Sequence, residues 1–159
     1  MNSQSLGFRA NDIARWFINS TDRESGDAMT HLKLQKLLYY AQGWSFAHFE
    51  RGLFDEDFQA WAHGPVVVSV WDQFKIYSWE AIPLQKIQKK IDGEPLRLLQ
   101  GVNDKYGIYT AKELERRTHR EHPWKTARGN LPPEARCTNI IPVSDIKAFF
   151  SSLKSGLPS

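Results

Sequence analysis

The sequence predicts a mainly α-helical fold: a compact single domain of six or seven helices with a small two-stranded β ladder. Three observations predict it. Apolar residues recur at helical spacing in several separate windows. Helix-start signatures stand just before those windows. Extended runs are short and few. The 159 residues suit one domain, with residues 1–7 and 154–159 as tails. A hydrophobic content of 41% and a charged content of 25% are ordinary for a globular chain, so the core needs no staples.

Taken in order, residues 8–19 place Ile13, Ala14, Trp16, Phe17 and Ile18 near helical spacing, with Asn11 as a candidate cap. The polar run NSTDRESGD is a loop, and Thr30 stands where a cap should precede the next helix. That helix holds KLQKLLYYAQGW. On a wheel, Leu34, Leu37, Leu38, Ala41, Trp44 and His48 fall in one arc of about 120°. Lys33, Lys36 and Tyr40 fall on a second side, Gln35 and Gln42 on a third, and both sides read as the wetter edges. Gly43 costs about 1 kcal/mol relative to alanine and reads as permitting close helix packing.

Phe58–Trp61 is expected to be extended. Gly64 and Pro65 are expected to open a helix running to Ile76. Residues 77–93 are irregular, and 94–106 read as a helix with Leu96, Leu98, Leu99 and Val102 inward. TAKE is a capping box from Thr110 to Glu113. The helix it starts ends before Pro123, and residues 123–128 form a short helix. Residues 129–139 are a loop. Residues 138–141 are extended and expected to pair with 58–61, and Ser144 is expected to cap a last helix over 145–153.

Several chemistries lack their motif. There is no phosphate-cradling GxxxxGK[ST] or GxGxxG, and no GxSxG. Cys137 is the one cysteine, so no intrachain disulfide forms. Its neighbour Arg136 alone is a weak sign of a reactive thiol. THREHPW offers His119, Glu121 and His122, with His63 or His48 available by folding as a third ligand to a metal. Pro123 breaks the turn there, and the competing reading is structural, with His119 at a helix end and Trp124 as an anchor. Asp55 and Asp57 read as a solvated turn. Lys112, Arg116, Arg117 and Arg120 lie on one helix that could track a phosphate backbone, although Glu113 and Glu115 interrupt it. Charge is uneven: residues 1–80 carry net −3 and residues 81–136 net +5, within a total of +3. No cofactor is implied. The N-terminus has no apolar signal-peptide region and no run approaches a membrane span, so a cytoplasmic protein is expected.

The blocks HLKLQKLLYYAQGW, GLFDEDFQAWAHGPVV and YGIYTAKELERRTHREHPW, in that order, resemble the Panacea domain, also called the SocA-like antitoxin domain, a family that includes GepA-like prophage proteins. The likeness runs from about residue 13 to residue 150. Ala62 and His63 stand where the family often has an aromatic before Gly-Pro. The resemblance implies a compact helical fold and no catalytic residues. It implies an antitoxin that binds a cognate toxin, usually encoded next door, and in some members delivers it to an AAA+ protease. Within that role Leu34, Leu37, Leu38, Trp44, Trp61, Gly64, Pro65, His119, Pro123 and Trp124 are expected to be structural. Ile76, Tyr77, Trp79, Lys86, Lys89 and Lys90 are the expected partner contacts, because aromatics give contact area and lysines steer an acidic partner.

Overall fold

The structure, a computed structural model, describes residues 5–22 and 29–154. Seven helices and a two-stranded antiparallel sheet follow the order α1 (Ala10–Asn19), α2 (His31–Phe49), β1 (Gln59–Trp61), β2 (Gly64–Val66), α3 (Val68–Phe74), α4 (Gly93–Tyr106), α5 (Ala111–His119), α6 (His122–Arg128) and α7 (Val143–Leu153). A 3-10 turn, Lys75–Tyr77, follows α3. Part of the expected loop 19–27 and parts of both tails lie outside the described residues. At the end of the first tail the Leu6 amide donates to Gly52 O at 2.8 Å, and just after it the Phe8 amide donates to Leu53 O at 3.1 Å.

The centre of the molecule is α2. Thr30 caps it as expected, its hydroxyl accepting the Lys33 amide at 3.3 Å. The helices α1, α3, α4, α5 and α7 all pack on it, as does β2. Every residue from Leu34 to Ala47 is buried. The apolar stripe is inward as expected, but the wet edges are not wet. Lys36 is 1% exposed, and Gln35, Tyr40 and Gln42 are buried beside it. A helix enclosed on all sides has no solvent face, so its polar side chains bond inward.

The two glutamines do this with their amides, which carry a donor and an acceptor like a strand backbone. Gln35 Oε1 accepts the Val67 amide at 2.9 Å, and its Nε2 donates to Val67 O at 3.2 Å. Gln42 Oε1 accepts the Leu53 amide at 2.7 Å, and its Nε2 donates to Phe54 O at 2.8 Å. Replacing Gln42 with leucine strands those buried backbone groups. It should cost about 2 kcal/mol in chemical denaturation, more than the loss of one average hydrogen bond.

The Gln35 clamp also explains a correction. The helix expected from Pro65 starts at Val68, because Val67 is held extended at φ −91°, ψ 115°. Gly64 and Pro65 instead belong to β2, with the register Gln59–Val66, Ala60–Pro65 and Trp61–Gly64. Gly64 sits at φ +113°, a backbone state that side chains rarely adopt. So β1 pairs with β2, whereas residues 138–141 contribute only an isolated antiparallel bridge, Gln59–Ile140. Two caps also move. The cap of α1 is Arg9, whose amide donates to Asp12 Oδ2 at 2.9 Å, and Glu56 reaches the Ala10 amide at 3.0 Å. The cap of α7 is Pro142, so that helix begins before Ser144. The TAKE box forms as expected, with Glu113 N to Thr110 Oγ1 at 3.1 Å and Thr110 N to Glu113 Oε1 at 2.8 Å.

Candidate functional site

The three family-like sequence blocks converge on the β1–β2 hairpin. Three side chains from α5 and α6 take three successive backbone positions of it. Arg128 Nη1 donates to Ala60 O at 2.9 Å, Trp124 Nε1 donates to Trp61 O at 2.7 Å, and His119 hydrogen-bonds the Ala62 backbone. The three also form a column. The His119 ring stacks on Trp124 at 3.9 Å between centroids, and the Arg128 guanidinium lies 4.8 Å from the Trp124 centroid. Pro123 and Trp124 are buried, Pro123 in the first turn of α6. The break between α5 and α6 falls at Arg120 and Glu121.

Ionisable groups crowd the same region. Burial pulls the Lys36 ammonium down to about 8, against the opposing pull of Glu115. Lys36 Nζ donates to Leu32 O at 3.4 Å. Glu115 lies 3.0 Å from His63 Nδ1 and 3.3 Å from Lys112 Nζ. Burial pushes its carboxyl up, but those bonds outweigh burial and hold it below the usual range. Tyr40 donates to Glu121 at 3.0 Å and stacks on Tyr106 at 4.0 Å. Burial raises the Glu121 carboxyl to about 7, opposed by the Tyr40 bond, Arg117 and Arg120.

The raised Glu121 carboxyl gives a pH prediction. A carboxyl whose folded pKa lies above its ordinary 4.5 stabilises the fold below that value. The contribution is lost as pH rises through about 7. Glu121→Gln removes the charge and keeps an acceptor for Tyr40. It should raise stability by about 1–2 kcal/mol at pH 8 and by nothing at pH 4, read from melting curves at both pH values.

The THREHPW residues do not point to one place. His119 faces Trp124 and Ala62, Glu121 faces Tyr40, and His122 is exposed beside Thr126 at 3.1 Å. His63 is committed to Glu115, and His48 lies against Trp44. Among the described residues no three His, Cys, Asp or Glu side chains group to hold a metal ion. Cys137 is buried. Asp55 and Asp57 are exposed, as a solvated turn requires. Of the basic residues on and after α5, Lys112 pairs with Glu115 and Arg117 lies over Tyr109 at 5.0 Å, leaving Arg116 and Arg120 exposed.

A run of exposed apolar side chains lies elsewhere, in residues 75–90, apart from single exposed residues such as Ile108 and Ile140. Ile76 and Trp79 are each 81% exposed, and Leu84 and Ile87 are also out in solvent. Between them Ser78 adopts φ 53°, ψ −119°, a region that favours glycine. The segment is fixed at defined points. Ile82 is buried, its amide donating to Met29 O at 2.9 Å, and Asn19 bonds Gln85 O at 2.8 Å and Gln85 N at 2.7 Å. Tyr77 packs partly against the core. Lys86 and Lys90 are exposed. Lys89 is exposed as well, but donates to Gly7 O at 2.9 Å and lies over the Phe8 ring at 4.8 Å.

Sequence reasoning missed Lys36, Arg128 and the two amide clamps. The one available signal is spacing: Gln35 and Gln42 are two helical turns apart on one side of α2. Among the described residues no helix is long and apolar enough to cross a membrane. No curated protein and no solved structure matches the chain. The family model described as antitoxin SocA-like, Panacea domain, matches residues 34–125, a span that holds the hairpin, most of α2 and all of α3 to α5. The chain therefore belongs to the Panacea family of SocA-like antitoxin domains.

Proposed function

We propose that this chain, acting as a single domain over residues 1–159, neutralises a cognate toxin by direct protein contact and performs no chemistry of its own. The observation that carries the reading is the exposed pair Ile76 and Trp79, each 81% exposed beside Lys75, in a chain of an antitoxin family. Two large apolar side chains so exposed and so close in the chain are informative where a buried core has already taken so many others. Trp79 gives a wide contact at small entropy cost, and Lys86 and Lys90 draw in an acidic partner. Tyr77 supports the ridge from beneath. Lys89 contributes less directly, by holding the segment to Gly7 and Phe8.

The groups that could do chemistry support the same reading. His119 and Arg128 anchor the hairpin, and Glu121 is bonded to Tyr40. In this reading the protein is cytoplasmic and its toxin is encoded by the adjacent gene. Delivery of the bound toxin to an AAA+ protease, as in some relatives of this family, would be a later step built on the same contact.

The test is co-expression. The adjacent gene alone should arrest growth, and this chain should restore growth and purify as a complex. The double variant Ile76→Asp, Trp79→Asp should fold with stability within about 0.5 kcal/mol, as surface changes do, yet lose rescue. Rescue by that variant would place the contact elsewhere, and a harmless neighbour would remove the toxin assignment.

A further inference from the structure

A groove of about 380 Å³ opens beside the hairpin, where residues 134–138 run past its tip. Trp61 and Trp71 form its apolar walls, edge to face with ring centroids 5.4 Å apart and planes at 63°. Glu134 and Arg136 stand on the rim, both exposed. Across the chain, basic side chains already lie over aromatic rings: Lys75 over Trp71 at 4.5 Å, Arg117 over Tyr109 at 5.0 Å and Arg128 over Trp124 at 4.8 Å. Among the described residues, no cation lies over Trp61, and Glu134 has no ion-pair partner.

We propose that this groove seats an arginine side chain presented by a partner protein, its guanidinium against the Trp61 face and its charge met by Glu134. The ring face of tryptophan is electron-rich and attracts cations, and guanidinium does so more readily than ammonium because it is planar and less tightly hydrated. A carboxylate beside the rings supplies the complementary charge, and its two oxygens match the guanidinium fork. Arg136 shares the rim and repels the occupant, so its charge works against binding. Placing the arginine on a partner rests on the proposed contact surface, which adjoins the groove along the chain: Lys75, next to Ile76, lies over the ring of Trp71, one wall of the groove.

The groove is tested first without any toxin. N-acetyl-arginine amide, N-acetyl-leucine amide and N-acetyl-glutamate amide are titrated into the full chain, and the indole N–H signals of its tryptophans are followed by NMR. The arginine probe should shift Trp61 and Trp71 saturably, leave Trp16 and Trp79 unmoved, and bind about fivefold or more tightly than leucine. Glu134→Gln should weaken that binding several-fold, and Arg136→Gln should tighten it. Equal or tighter binding of the leucine or glutamate probe, loss of binding in Arg136→Gln, or no saturation would overturn the assignment. In the co-expression assay, Glu134→Gln should weaken the purified complex several-fold. If the probe binds and the Ile76, Trp79 variant loses rescue while Glu134→Gln leaves complex affinity unchanged, the groove does not serve the partner. Failure of the toxin reading would show instead as no complex with the unsubstituted chain.

Discussion

Replacing Arg128 with alanine is expected to destabilise the protein by about 3–5 kcal/mol, with Arg128→Lys recovering little of the loss. The side chain is 4% exposed, and its guanidinium joins β1 to the loop of residues 132–135. One nitrogen reaches Ala60 O in β1 at 2.9 Å, and the other reaches Pro132 O and Ala135 O, each at 2.6 Å. Alanine would leave these carbonyls without their charged donor and remove the face that covers Trp124. Lysine restores a charge, but a single ammonium cannot span the spread of the guanidinium fork. The measurement is chemical denaturation, with Trp61 and Trp124 providing fluorescence close to the lesion. A loss under about 1 kcal/mol, the size of one ordinary hydrogen bond, would mean that the hairpin is held by Trp124 and His119 alone.

Gly43→Ala is expected to cost about 3 kcal/mol, although alanine is the better helix former. A Cβ at Gly43 would fall within the ring of Phe150, a contact too short for either side to absorb. Phe150 is fully buried and cannot step aside: it lies edge to face with Tyr39 at 5.5 Å, Tyr40 at 6.0 Å and Trp44 at 5.4 Å. The missing side chain therefore sets how closely α7 approaches α2. Phe150→Ala alone should cost about 3–5 kcal/mol as a large-to-small core change. The double variant should be more stable than the sum of the two losses by about 1 kcal/mol or more, because the clash disappears with the ring. Additive losses would show that α7 shifts to make room.

What could be read in the sequence was what is local. The Thr30 cap and the Thr110–Glu113 box bond within one turn, and their residues state the bonds they make. The close approach at Gly43 was legible too, since a helix that gives up a side chain at its apolar centre does so to let a neighbour in. The misreadings share a cause. A helical wheel assigns polar residues to water, yet Gln35, Lys36 and Gln42 are enclosed because the other helices surround α2. The valines after Pro65 suit helix or strand alike, and the amide clamp that decides comes from Gln35, 32 residues earlier. Arg128 was silent because its acceptors are backbone carbonyls, which every sequence has, brought into range only by folding. For the candidate surface, exposure of Ile76 and Trp79 follows from irregular backbone, whereas the engagement of Lys89 with Gly7 depends on how the N-terminal segment lies.

A helix without a solvent face also has no frayed flank from which opening could start. The amides of residues 34–47 can exchange with water only when the whole molecule opens, so losing α2 and losing the fold are one event. In the proposed reading recognition and rigidity are thus kept apart in one short chain: the exposed side chains of Ile76 and Trp79 lie outside the interior that α2 organises.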